Sequence, residues 1–116
     1  MPWAAQAAPL PPAARADVDA LLTRLQASGC EFNRNGSWYA GAEAKAHLLK
    51  KLDYLEGKDM VSTAEQFIER GASSSSMSGK PYLVRCGGKA PVESATWLKA
   101  ELQQVRAARA ASSPQR

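Results

Sequence analysis

The sequence predicts a small α+β domain, in which about four helices pack on an antiparallel sheet of about three strands, a hairpin over 30–40 joined by a strand over 80–86 and closed by one disulfide. Three observations carry this reading. Asn35-Gly36 stands between two short aromatic runs, several segments space apolar residues at the helical period, and the only two cysteines, Cys30 and Cys86, sit at the ends of strand-like stretches. At 116 residues the chain holds one modest core, and with 45% hydrophobic but only 7% aromatic residues that core is built mainly from aliphatic side chains.

Each element follows from local chemistry. Pro12 suits the first position of a helix, where its missing N–H would have had no partner. Val18, Leu21, Leu22 and Leu25 continue that helix at its period, and Gly29 stops it. Cys30-Glu31-Phe32-Asn33-Arg34 and Ser37-Trp38-Tyr39 then flank Asn35-Gly36, the pair best fitted to the two positive φ angles of a type I′ turn. In that register Phe32 lies opposite Tyr39, on the face that carries Cys30. From 42 to 57, Ala44, Leu48, Leu52 and Leu55 form one apolar stripe of a second helix.

Ser62 and Glu65 have the spacing of a capping box, opening a third helix that turns Ala64, Phe67 and Ile68 inward and ends near Gly71. Ser73 to Gly79 is a polar, low-complexity loop. Lys80 to Cys86 reads as a strand with Tyr82, Val84 and Cys86 on one side, and after Gly87-Gly88 and Pro91 a last helix presents Trp97, Leu98, Leu102 and Val105. Residues 13–106 therefore make the α+β domain, residues 1–12 a disordered lead-in or signal-peptide remnant, and residues 107–116 a disordered basic tail.

The formal charge of +4 points to nucleic acid or an anionic surface only until its distribution is examined. Between the two cysteines, eight Lys/Arg face seven Asp/Glu, so the body is nearly neutral and the excess lies along the last helix and tail. Cations near a helix C-terminus explain that excess without a nucleic-acid partner. No stretch is long and apolar enough for a membrane span. Ala5-Gln6-Ala7 has the small-x-small form of a signal cleavage site, and an ordinary alanine-rich start reads equally well. If Cys30 and Cys86 pair, they close a loop worth roughly 4 kcal/mol in the chain-entropy model, place the protein in an oxidising compartment and leave no thiol for catalysis or metal binding.

Few residues offer chemistry. His47 is the sole histidine, with Glu43 and Lys51 one helical turn away, and the local sequence supplies no nucleophile, so a half-buried histidine is favoured over a hydrolase that uses it. One His and two cysteines match no metal spacing, and no cofactor motif is present. Lys51 falls within the arc of the apolar stripe, where its ammonium pairs with a carboxylate such as Glu65 or lines a pocket. Arg34 flanks the hairpin turn with Asn35. The loop hydroxyls Ser75, Ser76 and Ser78, with Tyr82 at the loop exit, have the composition of an adaptable contact loop. Ser78-Gly79-Lys80-Pro81-Tyr82 looks like the Ser-Gly-x-x-Tyr motif of bacterial periplasmic lysozyme inhibitors, whose loop enters the enzyme cleft.

Taken together, the run Cys30 to Tyr39, the helix with Ala44, His47, Leu48 and Lys51, the segment Ala64 to Ile68, and Ser78 to Cys86 resemble the YfeK-like family of small uncharacterised secreted bacterial proteins, a domain of unknown function. The resemblance covers about residues 14 to 105. It implies export to the periplasm of a Gram-negative bacterium and no assigned reaction. The expectation is a non-enzymatic periplasmic binding or protein-interaction domain, a monomer or weak dimer, whose contact surface is Arg34, Asn35, His47, Lys51, Ser75, Ser76, Ser78 and Tyr82 and whose partner is a protein or cell-envelope ligand. The alternatives are an inhibitor or immunity protein of a cell-wall hydrolase, and a hydrolase using His47.

Overall fold

Helix α1 (Pro12–Ala27) opens at the proline and closes through Ser28 and Gly29, whose φ of 74° turns the chain out of the helix. Strands β1 (Glu31–Arg34) and β2 (Ser37–Ala40) follow, joined by Asn35 and Gly36 at φ 53° and 91°, the positive pair that a tight hairpin turn requires. Phe32 does pair with Tyr39. The chain continues into α2 (Gly41–Gly57), α3 (Ala64–Gly71), β3 (Leu83–Arg85), β4 (Val92–Glu93) and α4 (Ser94–Ser112) in a computed structural model that describes residues 10–112. The sheet order is β2-β1-β3-β4 with every pairing antiparallel, and Cys30 is bonded to Cys86 beside the Glu31–Arg85 pair. The α+β class with one disulfide thus stands.

Phe32, Tyr82 and Val84 turn inward from the sheet, where they meet Leu48, Leu52, Phe67, Ile68 and Leu98 from the helices. α2 covers the β1–β2 side and α4 the β3–β4 side, while α1 and α3 lie across both helices. The outer face is half-exposed. There Arg85 stacks 3.9 Å from the Trp38 ring centroid and bonds Glu31 at 2.7 Å. Among the described residues no helix is long and apolar enough to cross a membrane.

Several elements depart from the sequence expectation. The sheet has four strands, since Gly87 and Gly88, both at positive φ, reverse the chain and return Val92–Glu93 against β3. β4 is two residues long and runs straight into α4, which leaves no alternating pattern to read. β3 is shorter than 80–86: Pro81 has no N–H, and Tyr82 gives its own N–H to Ser73 O rather than to a strand. The α3 cap is Thr63, whose hydroxyl accepts from the Gln66 N–H, while Ser62 bonds the Gln66 side chain; the capping pair therefore sits one residue beyond Ser62 and Glu65.

Both chain ends differ too. Leu10 is buried and donates its N–H to Glu56 at 2.8 Å, so the chain is anchored before Pro12; residues 1–9, on which the signal-remnant reading falls, lie outside the described residues. α4 continues to Ser112, past the boundary expected at 106, because alanine-rich sequence favours the helix and its basic residues have partners. Arg106 bridges Asp17 and Glu65, and Arg109 stands 2.6 Å from Asp17, so these cations clamp α4 to α1 and α3 instead of trailing in solvent. The Arg106 hydrogen bonds hold the Glu65 carboxyl below its ordinary range.

Gly41, at the start of α2, lies close against the backbone at the end of α1. A Cβ there would stand 2.8 Å from Leu25 O and 2.9 Å from Gln26 Cα, both backbone atoms of α1. Gly41→Ala is therefore expected to destabilise the fold by about 1–3 kcal/mol in chemical denaturation, despite alanine's better helix propensity, because α1 and α2 must separate. An unchanged or raised midpoint would show that this contact does not set the helix spacing.

Candidate functional site

The inward stripe of α2 (Ala44, Leu48, Leu52, Leu55) fixes the rotation of that helix, and this places His47 and Lys51, one turn apart, along the margin of the core facing the loop of residues 73–81. The hairpin turn brings Arg34 to the same margin. Arg34 donates to His47 Nδ1, while its guanidinium lies 5.1 Å from the Tyr39 ring centroid. On its other side the imidazole meets the Tyr82 hydroxyl, with Nε2 and Oη 3.1 Å apart. A guanidinium can only donate, so Nδ1 is the accepting nitrogen and Nε2 carries the proton given to Tyr82. Lys51 completes the group: Nζ donates to Ser74 O and to the Tyr82 hydroxyl, each at 3.0 Å.

Lys51 is accordingly neither free nor paired with Glu65. Glu65 belongs to Arg106 on the far side of α3, and Lys51 finds neutral oxygen acceptors instead. Tyr82 is only 2% exposed, so it is a buried support and not a surface contact, and the Ser78-Gly79-x-x-Tyr82 motif cannot present its tyrosine to a cleft. Glu43 receives the Ala40 N–H at 3.3 Å at the start of α2 and does not orient His47. Among the described residues the hydrogen bonds of His47 go to Arg34 and Tyr82, not to a serine hydroxyl.

The serine loop is knotted by its own bonds. Ser75 is buried, and its hydroxyl accepts from the Met77 and Ser78 N–H groups and from the Asn35 amide. Ser78 returns a hydroxyl hydrogen to Asn35 Oδ1 at 2.6 Å, while Ser75 and Lys80 are joined through the backbone and Ser74 bridges Pro81. Asn35, Ser75 and Ser78 thus hold the loop to the hairpin turn, and the tip is left to Ser76 and to Met77, which is 95% exposed.

Two depressions meet at His47. A smaller one of about 280 Å³ is lined by Arg34, Tyr39, Glu43, His47 and Lys50; a larger groove of about 500 Å³ runs past Lys50, Lys51, Tyr54 and Ser76 to Met60 and Arg70. Burial, together with the positive charges of Arg34, Lys51 and Lys50, pushes the His47 imidazole from 6.5 down to about 4, so the ring is neutral at physiological pH. Among the described residues no three His, Cys, Asp or Glu side chains gather where a metal ion could be held.

All the residues chosen from sequence come together, in two roles: Asn35, Ser75, Ser78 and Tyr82 are scaffold, whereas Arg34, His47, Lys51 and Ser76 line the depressions. Sequence reasoning missed Lys50, Tyr54, Met60 and Arg70. Positions 47, 50, 51 and 54 recur at helical spacing, a legible signal that an exposed face of α2 continues the site. Arg70 arrives through the packing of α3, and Met60 through the turn after α2, where its N–H bonds Leu55 O.

The family of unknown function DUF5329 matches residues 12–106. A protein of Salmonella typhimurium (strain LT2), named Uncharacterized protein YfeK, is 44% identical over 68 residues, covering 58% of this chain and 55% of the relative. The match spans about half the length of that curated relative. Among solved structures none is a significant match.

Because the folded protein holds His47 at about 4 and an unfolded chain would hold it near 6.5, the unfolded state takes up the proton first as pH falls. The stability that the neutral ring contributes is complete above about 6.5 and is lost between 6.5 and 4. In His47→Gln, which keeps an amide in reach of Tyr82, this dependence is absent. Denaturant titrations from pH 7 to 4 should show the stability difference between wild type and variant changing in the wild type's disfavour through that window; a difference constant with pH would mean that His47 is not held neutral.

Proposed function

We propose that this chain, which belongs to the family of unknown function DUF5329, is a non-enzymatic binding domain that works in the periplasm and receives its partner on the surface around His47 and the serine loop. The observation that carries this is the arrangement of Arg34, Lys50 and Lys51 about a neutral histidine whose two nitrogens are already engaged. A proton-transfer catalyst needs one ring nitrogen directed at a reacting group. A recognition surface needs rigidly held donors, and here the Tyr82 frame holds them. The Cys30–Cys86 bond supports the compartment, because disulfides persist where thiols are not kept reduced.

The inhibitor form of this reading keeps the loop but changes its contact. With Tyr82 inside, Ser76 and the fully presented Met77 become the residues that would enter a hydrolase cleft, on a loop that Ser75 and Asn35 have already ordered.

The test is affinity capture from a periplasmic extract with four baits: wild type, Lys50→Glu, Met77→Asp and, as a control on the outer side of α4, Lys99→Glu. A partner identified with wild type should persist with Lys99→Glu and be lost with Lys50→Glu; loss with Met77→Asp of a cell-wall hydrolase in particular would single out the inhibitor form. Equal capture by all four baits would remove the His47 surface from the function.

A further inference from the structure

The groove beside α2 has a composition that specifies more than a generic contact. Lys50, Lys51 and Arg70 all line it, and no carboxylate does. None of the three cations forms an ion pair with a described carboxylate, in contrast to Arg15, Arg24, Arg85, Arg106 and Arg109, which all do. Arg70 is nonetheless held in place, since it donates to Met60 O at 2.6 Å and keeps its remaining N–H groups for another acceptor. Lys51 uses two of its donors on Ser74 and Tyr82 and retains a third. Positive charges gathered without a counter-charge repel one another, and a bound anion relieves that repulsion.

The rest of the lining includes apolar surface. Tyr54 is 62% and Met60 43% exposed, large side chains that a folded domain gains by covering, with buried Leu55 beneath them. The Lys58 ammonium lies 5.8 Å from the Tyr54 ring centroid. At about 500 Å³ the groove falls within the size range of small-molecule sites.

Building on the binding-domain reading, we propose that this groove takes a small amphiphilic anion: a carboxylate or phosphate head held by Lys50, Lys51 and Arg70, with an aliphatic or aromatic body lying on Tyr54 and Met60. Ser76 closes the loop side of the groove, and neutral His47 adds no repulsion of its own. The body contributes area and the head contributes selectivity, so neither half alone binds as well as the two together.

Octyl phosphate and octanoate are the probes, followed by calorimetry and by the Tyr54 and Met60 resonances, with inorganic phosphate as the head alone and octyl glucoside as an uncharged tail. Both amphiphilic anions should bind once per chain, each at least about tenfold more tightly than either comparator, and Lys50→Glu and Arg70→Gln should each weaken them by about tenfold or more while thermal unfolding without ligand changes little. The bound head should also move the His47 titration upward, because it offsets Lys50 and Lys51, whereas Arg34, Glu43 and Tyr82, the other groups facing the ring, are unchanged. No binding of octyl phosphate at about 1 mM overturns the proposal, as does equal affinity for octyl glucoside or for inorganic phosphate, or binding indifferent to both substitutions. If the anions fail while partner capture still depends on Lys50, the ligand class falls and the binding-domain reading stands.

Discussion

The hydroxyl of Tyr82 is the point from which the rest of the structure is arranged. A buried phenol must find hydrogen-bond partners, and leaving it without them would cost about 1–3 kcal/mol. Here the partners are His47 and Lys51, so α2 can rotate no further than these two side chains permit. The same residue packs its ring 5.0 Å from Phe32, gives its N–H to Ser73 and receives the N–H of Ser94. Sheet, serine loop, α2 and the start of α4 are therefore tied at one residue. The exposed donors of the site are rigid because they grow outward from this buried node.

The disulfide acts on a larger scale. Cys30 precedes β1 and Cys86 follows β3, and the 56 residues of separation between them enclose the hairpin, α2, α3, the serine loop and every residue that lines the two depressions. Restricting the unfolded chain over such a loop is worth roughly 4 kcal/mol in the entropy model. The site thus lies within the covalently closed part of the chain, while α1 and α4 brace it from outside through Arg106, Arg109 and buried Asp17. Charge is divided in the same way: Arg15, Arg24, Arg106 and Arg109 are paired with acids, and Lys50, Lys51 and Arg70 at the groove form no ion pair with a described carboxylate.

How far this was legible in the sequence depends on the range of each interaction. Asn35-Gly36, the leucine stripe of α2 and the stop at Gly29 are local signals, and each element they specify is present. The cysteines and the alternation of Tyr82, Val84 and Cys86 placed the third strand. β4 was hidden because two residues cannot show a period. At the site, His47, Lys51, Arg34 and the serines were found by their chemistry, yet their partners were not. Glu65 looked suitable for Lys51 by charge, but the packing of α4 delivers Arg106 to Glu65 and the sheet delivers Tyr82 to Lys51. A loop motif exposes its members on paper, and the strand that follows the loop draws Tyr82 into the core instead.

The proton on Nε2 of a neutral His47, given to Tyr82 while Nδ1 accepts from Arg34, is open to direct observation. Nitrogen-15 NMR of the imidazole in the native protein near pH 6 distinguishes the two tautomers and the charged ring. A protonated Nε2 with a bare Nδ1, in a ring still neutral where an exposed histidine would be largely charged, is the expected result. A charged ring at that pH, or a proton on Nδ1, would contradict the arrangement from which the site is built.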